Sequence, residues 1–286
     1  MEIVNSRVRV FCLGELGKRF YANYGDKLGE RFSFQLIDDT EELLSFSKSG
    51  LETGNEKWIL ITEYEPQIWE KECNSNAVAQ WLRNVLLKII VIHPHQHIAQ
   101  IAERRWIQMM KPRDTCSDKV ILAMPDVERS SALNILCKVI YDLISAAVCS
   151  IIDVGPDKKN IVKPGYISLD YNDLFWIGKD SECYGMIYSG ECENTEQICG
   201  VAKAIGEQLR KDLEPKNILF AILIITSNPG ITLRSLCDVA IEIESLDPDL
   251  NMVWAHNISE SKCRVSVVVY CRLEAECDEE FNANVI

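Results

Sequence analysis

The 286-residue sequence has no CxxC pair, no GxSxG motif and no apolar run near the ~20 residues that a membrane-spanning helix needs. Its longest apolar run, residues 218–225, has the length of a strand. The first ten residues lack the charged, apolar and small-residue order of a secretory signal. These absences argue against a secreted disulfide scaffold, an α/β serine hydrolase and direct membrane insertion.

Positive charge is also scarce, since 30 Lys and Arg stand against 43 Asp and Glu and leave a net charge of −13. Such a chain repels phosphate-rich partners, so we expect no binding to nucleic acid or to an anionic membrane surface. Cysteine is plentiful, with twelve residues, several of them inside apolar segments (Cys12, Cys137, Cys149 and Cys237). Without a secretion signal, this predicts reduced, mostly buried thiols and a cytoplasmic location.

Strand-like and helix-like segments alternate through the first half of the chain. Strand patterns occupy residues 7–13, 32–37, 57–62, 88–92 and 119–124, and helix patterns occupy 18–28, 41–47, 76–87 and 98–110. This alternation predicts βαβ units that form a parallel sheet with helices on both faces.

A long apolar segment, residues 131–152, predicts a central, largely buried helix. Beyond it, strand patterns at 184–188, 217–226, 252–256 and 264–271 enclose helix patterns at 195–213 and 233–244. We therefore predict a Rossmann-like domain (1–130), a central helix with its connector (131–162), a smaller α+β domain (163–272) and an acidic tail (273–286).

Several segments of the second half resemble the FtsZ/tubulin superfamily. KPGYISLDYND at 163–173 is similar to the FtsZ run after its central helix, CYGMIYSG at 183–190 resembles its GxAMMGxG strand, and RVSVVVY at 264–270 resembles its last core strand. The resemblance implies the fold class: α/β, with a Rossmann-like parallel-sheet GTPase-type domain, a long central helix and a smaller α+β C-terminal domain.

The resemblance also implies a nucleotide site with GTP and Mg²⁺ as cofactors. RVRVFCLGELG resembles the family's opening strand and glycine loop and retains Gly14 and Gly17, and Asp38 follows the second strand where a ribose-binding acid is expected. These three residues are the candidate cofactor-binding positions. The same glycines leave a dinucleotide-binding turn open as an alternative, although its full fingerprint is missing.

The second family loop, G-G-G-T-G-T-G, has no counterpart here, because the chain has no glycine between Thr62 and the next helix. Glu63, Glu65 and Glu70 place carboxylates there, and Pro66 removes a backbone donor. Glycine-rich loops bind phosphate through backbone N–H groups, and carboxylates repel it. We therefore expect a degraded nucleotide site, that is, a pseudo-GTPase.

Asp170 and Asp173 are the candidate catalytic residues. They retain the two carboxylates of the family's N-x-D-x-x-D motif, with Ser168 in place of Asn. In the family these carboxylates act on the nucleotide of the neighbouring subunit. A purely structural alternative is that Asp170 caps the helix that follows.

Two functions follow from the resemblance. The first is an FtsZ-like cytoskeletal, cell-division-type protein that forms homo-oligomers or assembles with, or caps, FtsZ-type filaments. The alternative is a divergent FtsZ homologue that still binds and hydrolyses GTP and forms its own polymer. The tail from Arg272 to Ile286 does not resemble the FtsZ peptide that binds membrane-tethering partners, so we expect no recruitment through it.

His93, His95 and His97 form the main rival motif, because alternate residues of an extended segment point the same way and could hold a metal. No Cys, Asp or Glu follows closely, so we assign no metal site.

Overall fold

The computed structural model describes residues 7–38, 42, 45, 56–63, 81–82, 85–92, 119–151, 167–174, 183–212, 218–245, 250–259 and 262–272. The predicted helix at 98–110, the histidines at 93–97 and the acidic tail lie outside these residues, as does most of the predicted helices at 41–47 and 76–87. Residues 42, 45, 81 and 82 within those two segments are helical.

All nine predicted strands are present among the described residues. They are β1 (Arg7–Leu13), β2 (Phe32–Ile37), β3 (Glu56–Glu63), β4 (Leu87–Ile92), β5 (Lys119–Ala123), β6 (Cys183–Cys192), β7 (Ile218–Ser227), β8 (Met252–Ile258) and β9 (Cys263–Arg272). The four described helices are α1 (Gly14–Tyr24), α2 (Arg129–Ile151), α3 (Ile198–Asp212) and α4 (Leu233–Glu244), with 3-10 turns at Gly25–Lys27, Tyr171–Leu174 and Thr195–Gln197.

The strands form one sheet in the order β2-β1-β3-β4-β5-β6-β9-β7-β8. The first five are mutually parallel, as the alternation predicted, whereas β9 pairs antiparallel with both β6 and β7. Among the residues that the structure describes, the two halves of the sheet pair through Leu122 on β5 and Gly185 on β6. The boundaries of the predicted domains remain a prediction.

Helix α2 is the long central helix, and its apolar residues are buried against both halves of the sheet. It is the one described helix that is long and apolar enough to cross a membrane, over Arg129–Ala147. However, 67% of that window is buried inside the molecule, as expected for a core helix. The helix therefore joins the two halves through its packing.

Helix α1 differs from the sequence-based prediction, which placed it at 18–28. It begins at Gly14, directly after β1, and a 3-10 turn replaces its predicted last turn. Leu13 has no side chain that could cap the helix. The cap comes instead from a residue distant in sequence, as the geometry of the site shows.

Candidate functional site

The turn from β1 into α1 depends on two glycines. Gly14 has φ 73°, a left-handed conformation that glycine adopts without steric cost, so the chain turns sharply from strand to helix. A Cβ on Gly17 would lie 2.5 Å from the carbonyl carbon of Cys12, so this glycine allows α1 to pack closely on β1. Both predicted cofactor-binding glycines thus have a structural role at the first βα turn.

Glu63 ends β3 and projects its carboxylate into the N-terminus of α1. The residue is 3% exposed. Its Oε1 accepts the backbone N–H of Leu16 at 3.0 Å, and its Oε2 lies 2.8 Å from Nη2 of Arg129. A helix N-terminus carries partial positive charge and unpaired N–H groups, so it favours an anion. Here that anion belongs to the protein.

Arg129, the first residue of α2, completes this cluster. Its Nε lies 3.3 Å from Glu15, which also pairs with Arg19 at 3.1 Å. Arg19 also donates to the Ser130 carbonyl at 2.9 Å. Burial lowers the pKa of Arg129, but the neighbouring Glu63 and Glu15 charges outweigh it, and the pKa lies above its ordinary value. These contacts join the N-termini of α1 and α2.

Asp38 lies at the end of β2, and its carboxylate pairs with Lys18 of α1 at 2.7 Å. Both side chains are more than half exposed. Its backbone N–H donates to Glu42 at 3.0 Å. The predicted ribose-binding acid is therefore engaged by a lysine of the adjacent helix.

The other candidate site is the 167–174 segment, which packs near the C-terminal end of α2. Leu169 donates its N–H to the Ala146 carbonyl at 3.1 Å, and Ile167 accepts the His256 N–H at 2.8 Å. Leu169 and Leu174 are buried. These contacts anchor the segment on both sides of its acidic residues.

Asp170 and Asp173 lie in one tight turn, with different surroundings. The Asp173 carboxylate accepts the Asp170 N–H at 2.8 Å, and the Asp173 N–H donates to the Asp170 carbonyl at 3.0 Å. The capping contact therefore runs from Asp173 back to Asp170, opposite to the structural alternative considered from sequence. Asp170 is exposed and Asp173 is half-buried.

The two acidic sites lie at opposite ends of α2. Arg129 begins the helix beside Glu63, and Ala146 contacts the 167–174 segment 17 residues later. At 1.5 Å per residue, the helix separates the two by about 26 Å. The two ends of the molecule along this axis therefore differ: Glu63 occupies the N-terminus of α1 at one end, and Asp170 is exposed at the other.

A buried ionic network between α2 and the second half of the sheet was missed by the sequence reasoning. Asp142 of α2 is fully buried, and its carboxylate forms a two-point contact with Arg264 of β9. Thr226 and Ser266 donate to the same carboxylate at 3.3 and 3.0 Å. The Asp142 charge outweighs burial and raises the pKa of Arg264. The only sequence signal was one Asp within an apolar helix.

No cluster of three or more His, Cys, Asp or Glu side chains suited to a metal occurs among the described residues. His93, His95 and His97 lie outside those residues, as do Glu65, Pro66 and Glu70 of the predicted degraded loop. Of that loop, only Glu63 can be placed.

No protein-family model matches the chain, and no curated protein matches it. Solved structures do match. A mutant FtsZ of M. jannaschii superposes with a TM-score of 0.60 at 14% identity, over 94% of this chain and 91% of that one. The chain has the FtsZ fold.

The FtsZ fold extends to related structures. CetZ from Methanosaeta thermophila matches with a TM-score of 0.50 at 12% identity, over 92% of this chain and 86% of that one. TubZ of Bacillus thuringiensis serovar israelensis, in GDP-form protofilaments, matches with a TM-score of 0.50 at 7% identity, over 93% and 83%. The predicted fold class is confirmed.

Proposed function

We propose that this protein is an FtsZ-type filament subunit that binds no nucleotide of its own and acts on the nucleotide of a neighbouring subunit. It would dock its Asp170 end on the exposed nucleotide face of a partner. On its own opposite face Glu63 occupies the helix N-terminus, so that face would hold no nucleotide for the next subunit to act on. Such a subunit caps or modulates an FtsZ-type filament.

The observation that carries this proposal is the position of the Glu63 carboxylate. It occupies the N-terminus of α1 and pairs with Arg129, the kind of setting in which a phosphate group binds in nucleotide-binding βα units. A phosphate placed there would meet a buried carboxylate of the same sign, which costs several kcal/mol if it is not screened. The internal anion thus substitutes for the ligand.

The Asp170 end supports the second part of the proposal. Asp173 engages the backbone of the turn, and Asp170 is exposed to solvent near the far end of α2. We assign Asp170 the role of positioning water at a partner's γ-phosphate, and Asp173 the role of holding the turn. Mg²⁺ would then accompany the partner's GTP.

Calorimetry with GTP and Mg²⁺ tests the first part. We expect no heat of binding for the wild-type protein at millimolar nucleotide. Glu63→Ala removes the internal anion, so it should bind inorganic pyrophosphate more tightly than the wild type does. Glu15→Ala, which removes an exposed carboxylate that also pairs with Arg129, is the matched control and should not. Micromolar GTP binding by the wild type would refute the proposal.

Co-assembly with labelled FtsZ filaments tests the second part. The wild-type protein should change filament length and GTP turnover, whereas Asp170→Asn should still dock but leave turnover unchanged. Asp238→Asn, an exposed change on α4, should behave as the wild type. If the wild-type protein alters neither length nor turnover, it does not act on such filaments.

A divergent GTPase that forms its own polymer is the second candidate. It is supported by the tight Gly14 turn, which is retained at the end of β1, and by the likeness to a TubZ solved as a GDP-form protofilament. In that case the protein alone should hydrolyse GTP and sediment as a polymer, and Gly14→Ala should abolish both.

A further inference from the structure

The described residues leave most of the β5-facing side of β6 unpaired. Along its other side β6 pairs with β9 over all ten residues, from Cys183 to Cys192. Toward β5, the pairing within the described part of the chain is the single contact of Leu122 with Gly185. From Met186 to Cys192 this edge presents backbone N–H and C=O groups, which favour pairing with an added strand.

A cleft of about 850 Å³ lies against this edge, and we call it the β6-edge cleft. Its walls are the 123–127 segment after β5, Ile135 of α2, β6 itself and one stripe of α3. All six consecutive residues from Met186 to Glu191 line it. Successive strand residues point to opposite faces, so a cavity that contacts all six lies beside the strand edge. Its shape therefore suits an extended chain.

The lining of the β6-edge cleft is apolar with an acidic margin. Met124, Met186, Val201 and Ile205 contribute apolar surface, and Asp126, Glu191 and Asp212 contribute carboxylates. No Lys or Arg is among the described residues that line it. Glu191 is already paired with Lys138 and Arg264, which leaves Asp126 and Asp212 to face an incoming charge.

One buried polar group also lacks a partner in this cleft. The Tyr188 hydroxyl is buried, makes no hydrogen bond of standard geometry and lies near the Asp212 carboxylate. Within the described part of the chain, the Asp212 carboxylate accepts the amide of Gln208 one turn earlier, at 2.8 and 3.0 Å. Burial and the neighbouring Asp212 carboxylate raise the pKa of Tyr188, so the hydroxyl stays protonated and the carboxylate is the charge that a cation on a bound chain would meet.

We propose that the β6-edge cleft binds an extended segment of a partner polypeptide in which Lys or Arg alternates with apolar residues. The segment pairs its backbone with Met186–Cys192, places its apolar side chains against Met186 and Ile205, and directs one cationic head to Asp212 and Tyr188. Strand addition of this kind takes affinity from main-chain hydrogen bonds and specificity from alternate side chains. The cleft is lined by neither Glu63 nor Asp170, so its test does not depend on the proposed filament function.

The probe is an acetylated, amidated eight-residue peptide in which Lys and Val alternate, followed by fluorescence anisotropy and by amide hydrogen exchange. We expect saturable binding and slower exchange at residues 186–192. Three control peptides should fail: one with Glu in place of Lys, one with the same Lys and Val in two blocks, and one N-methylated at alternate residues. Equal binding of any control would overturn the proposal.

Two protein variants locate the cationic head. Asp212→Asn should weaken binding about tenfold, the equivalent of one charge-assisted hydrogen bond, and Tyr188→Phe should weaken it less. Asp238→Asn removes the same charge from the exposed surface of α4 and should leave affinity unchanged. Unchanged affinity in Asp212→Asn would show that Asp212 does not hold the cationic head, and equal loss in Asp212→Asn and Asp238→Asn would show that the peptide responds to net charge only. Either result would overturn the proposal. Binding without protection of the β6 amides would also refute the model.

Discussion

At the scale of single residues, the most informative side chain is Glu63. It caps helix α1 from another strand, because Leu16, 47 residues earlier in the chain, donates its N–H to the Glu63 carboxylate. The same carboxylate pairs with Arg129, so removal of this one glutamate takes an anion from both a helix N-terminus and a guanidinium. The pyrophosphate experiment on Glu63→Ala depends on this double role.

A second residue-scale feature is the buried pair of Ser227 and His256, whose Oγ and Nε2 are 2.9 Å apart. Burial lowers the pKa of His256 below the ordinary histidine value of 6.5. As the pH falls below 6.5, the unfolded chain therefore binds a proton at this histidine before the folded chain does. The contribution of His256 to the free energy of unfolding is fully present above about pH 6.5 and is lost as the pH falls through the lower pKa of the folded state.

We expect the free energy of unfolding to fall with decreasing pH below 6.5, with a slope of up to about 1.4 kcal/mol per pH unit from this residue. His256→Asn cannot take up the proton, so urea unfolding between pH 5 and 7 should show a flatter profile. The other three histidines are present in both proteins and cancel in the comparison. An identical slope in the variant would contradict the assignment.

At the scale of elements, close packing of α1 on β1 depends on Gly17. A Cβ at this position would meet backbone atoms of Cys12, which cannot move as a flexible side-chain end could. Gly200 in α3 is the opposite case, because a Cβ there would find nothing within 4 Å. Two helical glycines thus have different reasons for being in this sequence.

Gly17→Ala should lower the free energy of unfolding by about 1–3 kcal/mol, because the helix must shift away from the strand. Gly200→Ala should raise it by about 0.5–1 kcal/mol, because alanine loses less backbone entropy in a helix. Urea unfolding of both variants measures the difference. Equal changes in the free energy of unfolding would mean that backbone entropy alone accounts for both variants. In that case α1 would not be packed tightly on β1.

At the scale of the whole molecule, two connections between the halves are seen among the described residues. In the sheet this is the Leu122–Gly185 pair, whereas α2 packs on both halves and contributes the Asp142–Arg264 network. Arg264 also contacts Glu191, and Asn257 donates to the Asp142 carbonyl at 3.1 Å. Coupling between the two ends of the protomer must therefore pass largely through α2.

Asp142→Asn should destabilise the protein by about 3–5 kcal/mol, because it removes the fully buried counter-charge of the largely buried Arg264. Hydrogen exchange should further show that β7 opens before β1 in the variant, whereas both strands open together in the wild type. Asp238→Asn, which is exposed, should stay within about 0.5 kcal/mol of the wild type. Joint opening of both strands in Asp142→Asn would assign the coupling to other contacts.

The sequence by itself determined the order and nature of the elements. Every predicted strand was confirmed, and the α4 helix was predicted to the residue, with Thr232 accepting the Ser235 N–H as its cap. These predictions rest on alternating and helical apolar patterns, on turn residues and on local caps. Each of these depends on residues only a few positions apart, so it can be recognised in the sequence without knowledge of the fold. The FtsZ-like fold was predicted for the same reason, from short sequence segments in the second half of the chain.

Only the tertiary structure decided where α1 begins and what occupies its N-terminus. The prediction started α1 four residues too late, because the cap that stabilises its first turn comes from Glu63 on another strand. The network around Asp142 was likewise invisible, since its partners lie 84 to 124 positions away along the chain. Contacts between distant residues depend on which strands become neighbours. The strand order depends on how the whole sheet packs around α2, and no local sequence pattern specifies it.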